Sequence, residues 1–217
     1  MSIKKWATRY ISETGRRQVS LAIGEAEKYT SGEVVVVVAK SSTTVGHVPL
    51  MLTLILSLFG IVFQVPEWTW LYFSPADIFW PVLILVCYGI SLPLSKIGWV
   101  QRFLTAKKDQ AVQTFRRAQC EFHSARVSNT EKSTGVLIFV SLMEHKTIVL
   151  ADKGIADRFS NTTWKEVCDL VVEGIKRNDL AGGLIEAIRL SGLHLKKEFP
   201  ADPDNKNELT NELLIIE

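Results

Sequence analysis

The spacing of apolar and polar positions changes character several times along this 217-residue chain, and each change predicts an element. Between residues 11 and 29, Val19, Ala22, Ile23 and Ala26 recur at three- and four-residue steps, the spacing of one buried helix face. Thr30-Ser31-Gly32 ends that helix. Glu33-Val34-Val35-Val36-Val37-Val38-Ala39 follows, an unbroken β-branched run bounded by turn residues. Such a run predicts a strand buried on both faces rather than a half-exposed one. Phe103, Leu104, Ala111, Phe115, Ala118 and Phe122 predict a second helix over residues 100–127. Gly135 then opens a second strand, Val136-Leu137-Ile138-Phe139-Val140-Ser141-Leu142. The polar turn Glu144-His145-Lys146 leads into a third strand over residues 147–151, and so short a connection predicts antiparallel pairing.

Two further helices are predicted near the end of the chain. Thr163-Trp164-Lys165-Glu166 has the form of a capping box. Val167, Leu170, Val171 and Ile175 form the stripe behind it. Leu184, Ala187, Ile188 and Leu195 mark the next helix, which begins near Leu180 and stops at Phe199-Pro200. Residues 201–217 are acidic and polar until Leu213-Leu214-Ile215-Ile216. No internal repeat is visible.

Two uncharged apolar runs break this pattern, at residues 48–65 and 78–95. Each is about long enough to cross a hydrocarbon core of roughly 30 Å at 1.5 Å per residue. Together they predict a two-helix transmembrane hairpin; the competing reading is a buried helical pair in a soluble protein. Residues 1–47 carry Lys4, Lys5, Arg9, Arg16, Arg17, Lys28 and Lys40, the loop at 66–77 carries no Lys or Arg, and Lys96, Arg102, Lys107 and Lys108 follow the second run. The positive-inside rule therefore predicts an integral, multi-pass membrane protein with both termini cytoplasmic. Trp68, Trp70, Tyr72, Phe73 and Trp80 read as an interfacial aromatic belt, and Trp99 marks the cytoplasmic boundary. The expected organisation is residues 1–47 and 96–217 as two parts of one cytoplasmic domain, with the hairpin at 48–95 between them.

Charge narrows the partners. Lys plus Arg number 25 and Asp plus Glu 23, a formal net charge of +2, so the balance suggests no nucleic-acid partner; the hairpin makes the lipid bilayer and other membrane proteins the expected partners. Three cysteines are too few for a disulfide framework. The basic first ten residues lack the apolar run of a signal peptide.

The segment Thr134-Gly135-Val136-Leu137-Ile138-Phe139-Val140-Ser141-Leu142 with Glu144, then Ile148-Val149-Leu150-Ala151-Asp152-Lys153-Gly154-Ile155, resembles the TPM domain family of thylakoid-lumen and related membrane-linked proteins. The resemblance continues through Trp164-Lys165-Glu166-Val167, Gly183-Leu184-Ile185-Glu186-Ala187-Ile188 and Phe199-Pro200 to Asn207-Glu208-Leu209. It covers roughly residues 11–47 and 100–213. It implies an α/β fold in which a small mixed sheet is layered αβα, here with the hairpin inserted after the first strand. Among relatives, some are acid phosphatases, others bind calcium, and others help membrane complexes assemble or be repaired.

Candidate chemistry is sparse. No phosphate-binding loop, nucleophile elbow, zinc-protease or EF-hand pattern occurs, and no catalytic residue is assigned. Asp152 and Asp157 flank Lys153-Gly154-Ile155-Ala156 just after a strand. Two carboxylates and free carbonyls around a glycine supply some of the oxygens that Ca²⁺ or another divalent cation needs, and the family resemblance points to the same place. Lys153 counts against a cation, and the competing reading is a structural Asx-turn. Cys120 and His123 share a helix face but lack the further pair of a zinc site. Two function classes follow: a membrane-anchored interaction or assembly module, and a metal-dependent, acid-phosphatase-like hydrolase.

Overall fold

The computed structural model describes residues 6–44, 46–63, 76–130, 132–202 and 207–217. In chain order their helices are α1 (Glu13–Glu27), α2 (Val48–Val62), α3 (Ala76–Leu94), α4 (Gly98–Leu104), α5 (Lys107–Ser124), α6 (Lys153–Ala156), α7 (Asn161–Lys176) and α8 (Leu180–Glu198). Their strands are β1 (Glu33–Ala39), β2 (Gly135–Ser141), β3 (Lys146–Ala151) and β4 (Leu214–Ile216). The chain divides into two units, one made of Met1–Ser42 with Ala111–Glu217, the other of Thr43–Gln110.

The first unit is built on β1. The sheet order is β3-β2-β1-β4, with β1 parallel to β2 and to β4 and β2 antiparallel to β3. Val36 stands opposite Ile138 and Val37 opposite Leu214. The alternation of a strand sorts the valines to two faces. Val34, Val36 and Val38 meet Val19 and Ile23 of α1, Val167 and Val171 of α7, and Leu184 and Ile188 of α8. Val35 and Val37 join Leu137 and Phe139 against Ala118 and Phe122 of α5. Helices therefore cover both faces, as the valine run requires, and each buried valine contributes about 1.5–3 kcal/mol. The expected αβα mixed sheet is present.

Local signals explain most element boundaries. Ser12 caps α1 by accepting from Gly15 N at 3.0 Å, and Asp179 caps α8 by accepting from Gly182 N at 2.9 Å. Helix α7 begins at Asn161 behind Ser160, so Thr163 is a first-turn residue and not the cap expected from the capping-box pattern. Ser160 holds the N-cap position, and its hydroxyl meets the Thr162 hydroxyl at 2.6 Å instead of capping a backbone N–H. Helices α7 and α8 cross where Gly174 meets Gly183; a Cβ on Gly183 would lie 2.8 Å from Gly174 Cα. Gly183→Val should therefore push the helices apart and lower stability by about 1–3 kcal/mol, read as a lower urea midpoint; an unchanged midpoint would mean the crossing is loose.

The second unit differs from the expected hairpin in the bounds and lengths of its helices. Among the described residues no single helix is long and apolar enough to cross a membrane. Instead of a run over 48–65, α2 holds 15 residues, about 22 Å of helix. Instead of a run over 78–95, α3 starts at Ala76 and ends at Leu94, with Pro81 and Pro93 inside it. Its stretch Trp80–Leu94 has the length and apolarity of a span only together with α4, from which it is bent by 113°. The single helix expected over 100–127 is broken at Thr105, whose backbone is extended. Trp68, Trp70, Tyr72 and Phe73 of the expected aromatic belt lie outside the described residues.

Candidate functional site

Asp152 and Asp157 stand at the two ends of α6, a single helical turn that continues from β3. Asp152 is its N-cap: Oδ1 accepts from Lys153 N at 2.7 Å, while Oδ2 is buried without a hydrogen bond. Asp157 is the exposed C-cap. Gly154 is required because a Cβ there would lie 2.7 Å from the Ser133 carbonyl oxygen. The turn thus positions one carboxylate for a structural task and leaves the other in solvent. Among the described residues no group of three or more His, Cys, Asp or Glu side chains is placed to hold a metal ion. On α5, Cys120 is exposed, and His123 Nδ1 lies 3.4 Å from Ser128 Oγ. Burial pushes the Cys168 thiol up to about 11, which leaves it protonated and unreactive at neutral pH.

A second acidic feature, invisible as a motif, forms where α1 turns into β1. Glu27, at the end of α1, is only 8 % exposed. Its Oε1 accepts from Val34 N at 2.9 Å, and its Oε2 is buried without a hydrogen bond. Burial, reinforced by the charge of Glu33, pushes the Glu27 carboxyl up to about 8 against the opposing pull of the Val34 N–H and Asn211. Glu33 heads β1. Burial raises its carboxyl too, opposed by the backbone N–H groups of Glu208 and Leu209. With its nitrogen turned toward Glu33, the Asn207 amide donates to Glu33 Oε2 at 3.1 Å and to the Leu209 carbonyl at 2.9 Å. A cavity of about 260 Å³ opens between these groups, lined by both carboxyls, Lys28, Asp202, Asn207 and Asn211. The chemistry on offer is a protonated carboxyl at neutral pH that titrates within reach of it. It also holds the segment before β4 against the α1–β1 turn.

In the second unit, α2 and α3 pack with an inverted distribution of side chains. Apart from Val48 at the start of α2, the buried positions are small or hydroxylated: Thr53 and Gly60 on α2, and Cys87 and Ser91 on α3 followed by Ser95 one turn on. Cys87, Ser91 and Ser95 repeat every four residues. The Thr53 and Ser91 hydroxyls meet at 2.9 Å, and Leu83 seats on Gly60. The exposed positions are large and apolar: Leu50, Leu54, Ile55, Leu58, Phe59 and Ile61 on α2, and Val82, Ile84, Leu85, Val86 and Ile90 on α3.

No protein-family model and no curated protein matches this chain. In fold it is similar to the NMR structure of the BA42 protein from the psychrophilic bacterium Bizionia argentinensis, with a TM-score of 0.61 and 21% sequence identity over 99% of each chain. At that identity the likeness concerns the fold alone.

Proposed function

We propose that this chain is a membrane-anchored, TPM-like module: residues 48–95 insert into the bilayer as a helical hairpin, and the α/β unit serves as an interaction or assembly module at the cytoplasmic face. The observation that carries the anchoring is the inverted packing of α2 and α3. In water, exposing a row of leucine, isoleucine and phenylalanine while burying serine and threonine is unfavourable on both counts. In lipid the same arrangement is the expected one, because small residues let helices approach and hydroxyl contacts join them while large apolar side chains meet acyl chains. The short α2 is accommodated by local thinning of the bilayer. The role of the α/β unit rests on its resemblance to the TPM family and on its tether.

Topology is the test. Single cysteines at Ser74, between the two helices in sequence, and at Asn207 are introduced after Cys87, Cys120 and Cys168 are replaced by serine or alanine. On intact cells an impermeant maleimide should label only Ser74→Cys. Labelling of Asn207→Cys would reverse the orientation. A carbonate-resistant protein unlabelled at both sites would make the hairpin re-entrant, and extraction by carbonate would end the anchoring proposal. Phosphate-ester turnover that requires a divalent cation and is lost in Asp152→Asn would replace the module reading with the hydrolase one.

A further inference from the structure

The corner between α3 and α4 is held by side chains. Gln101 Nε2 donates to the Ser95 carbonyl at 2.8 Å, which ties the end of α3 to the middle of α4. Gln110 Nε2 donates to the carbonyls of Arg102 and Thr105, both at 2.8 Å, and so closes the C-terminal end of α4. These carbonyls have no helical partner of their own at a helix end. Glutamine side chains replace that partner at both ends of α4, and the Gln101 bond spans the bend, so α4 has a defined direction, turned 113° from α3.

The direction has a chemical consequence. Trp99 and Phe103, four residues apart on one face of α4, are 72 % and 83 % exposed, while Val100 on another face is buried within the same unit. Lys96, Arg102, Lys107 and Lys108 lie within a few residues of this pair in the chain, all exposed, and between positions 78 and 120 they are offset by a single acidic residue, Asp109. If α3 stands near the bilayer normal, a helix at 113° to it runs close to the membrane plane. An aromatic pair beneath and four cations around it are what an anionic surface would meet.

We propose that α4 is an interfacial helix seated on an anionic lipid surface, with Trp99 and Phe103 among the upper acyl segments and Arg102 and its neighbouring lysines on the headgroup phosphates. This rests on the hairpin reading and adds to it a fixed depth and a lipid preference for the point where the chain leaves the membrane. Arg102, beside Phe103 in sequence, lies on the flank of the aromatic face, where its long stem reaches back to the phosphates. A protein partner on the same face would lack the reason for a rim in which cations outnumber the one acid, Asp109.

Nitroxide labels on single cysteines report depth. The protein, free of native cysteines, is reconstituted in vesicles of phosphatidylcholine with phosphatidylglycerol and labelled in turn at Trp99, Phe103, Leu54, Leu85 and Arg116, so that one aromatic of the pair always remains. At positions 99 and 103, accessibility to oxygen should exceed that to a water-soluble nickel chelate several-fold, at a depth of about 5–10 Å. Positions 54 and 85 should read deeper, and Arg116→Cys should read as water. In vesicles of phosphatidylcholine alone, chelate accessibility at 99 and 103 should rise several-fold while 54 and 85 stay unchanged. Chelate-accessible labels at 99 and 103 with deep ones at 54 and 85 overturn the interfacial helix and leave the hairpin standing. Chelate access at all four removes both readings. Labels at 99 and 103 shielded from both reagents would assign the face to a protein, and indifference to phosphatidylglycerol would overturn the anionic preference.

Discussion

Val36→Asp should unfold the α/β unit. Val36 has no exposed surface and lies in the central strand opposite Ile138, inside the core shared with α1, α7 and α8. The change removes about 1.5–3 kcal/mol of apolar burial. It also puts a carboxyl with no counter-charge at the most enclosed point of the sheet, at a cost of several kcal/mol more. A typical domain has about 5–15 kcal/mol of stability in total. Limited proteolysis of the detergent-solubilised protein should degrade the variant's α/β unit under conditions in which the parent persists. Equal resistance would show that β1 is not central.

Glu27→Gln should flatten the dependence of stability on pH. The Glu27 carboxyl has an ordinary value of 4.5 and is pushed up to about 8 in the folded chain. The fold therefore favours the protonated form. The stability that Glu27 contributes is fully present below about pH 4.5, falls as pH rises from there toward 8 and is lost above, because across that window the unfolded chain has released a proton that the folded chain keeps. At about 1.4 kcal/mol per pH unit the whole window amounts to about 4–5 kcal/mol as an upper bound. Glutamine keeps the acceptor for the Val34 N–H and cannot ionise. Urea unfolding at pH 5, 7 and 9 should show the variant close to the parent at pH 5 and more stable than it by a few kcal/mol at pH 9. Parallel profiles would mean that Glu27 is ionised in the folded protein.

Legibility in the sequence followed burial. β1 and β2 were readable because a strand covered on both faces has to be apolar at every position, and few other elements produce five valines in a row. β4, the parallel neighbour of β1, was not. It is three half-buried residues at a sheet edge, too short for a period of two to show. The break at Thr105 is not legible because Phe103, Leu104 and Ala111 fit a continuous helical spacing; the corner there is held by Gln110 reaching the Arg102 and Thr105 carbonyls, and spacing does not encode that. The Glu27–Glu33 pocket leaves one trace, a glutamate at the head of an all-apolar strand. Recognising it needs the second glutamate from the preceding helix end and the asparagines from a segment about 175 residues away, which only the fold brings together. The Asp152–Asp157 turn was readable as a turn because Gly154 and the two aspartates advertise it, and its N-cap role is the structural alternative weighed from the sequence.

The pairing of β1 with β2 also sets a timetable. Val36 meets Ile138 about a hundred residues later in the chain, with the α2–α3 hairpin between them. At about 5–20 residues per second of synthesis, β1 waits on the order of 5–20 s for its neighbour. During that interval a strand of five valines has two open edges and two uncovered faces, the state most prone to pairing with another chain. Insertion of the hairpin while β2 is still being made would hold nascent copies apart on the membrane. On this view the intervening segment is also a folding device: it delays closure of the sheet while tethering the strand that most needs to be kept from its own kind.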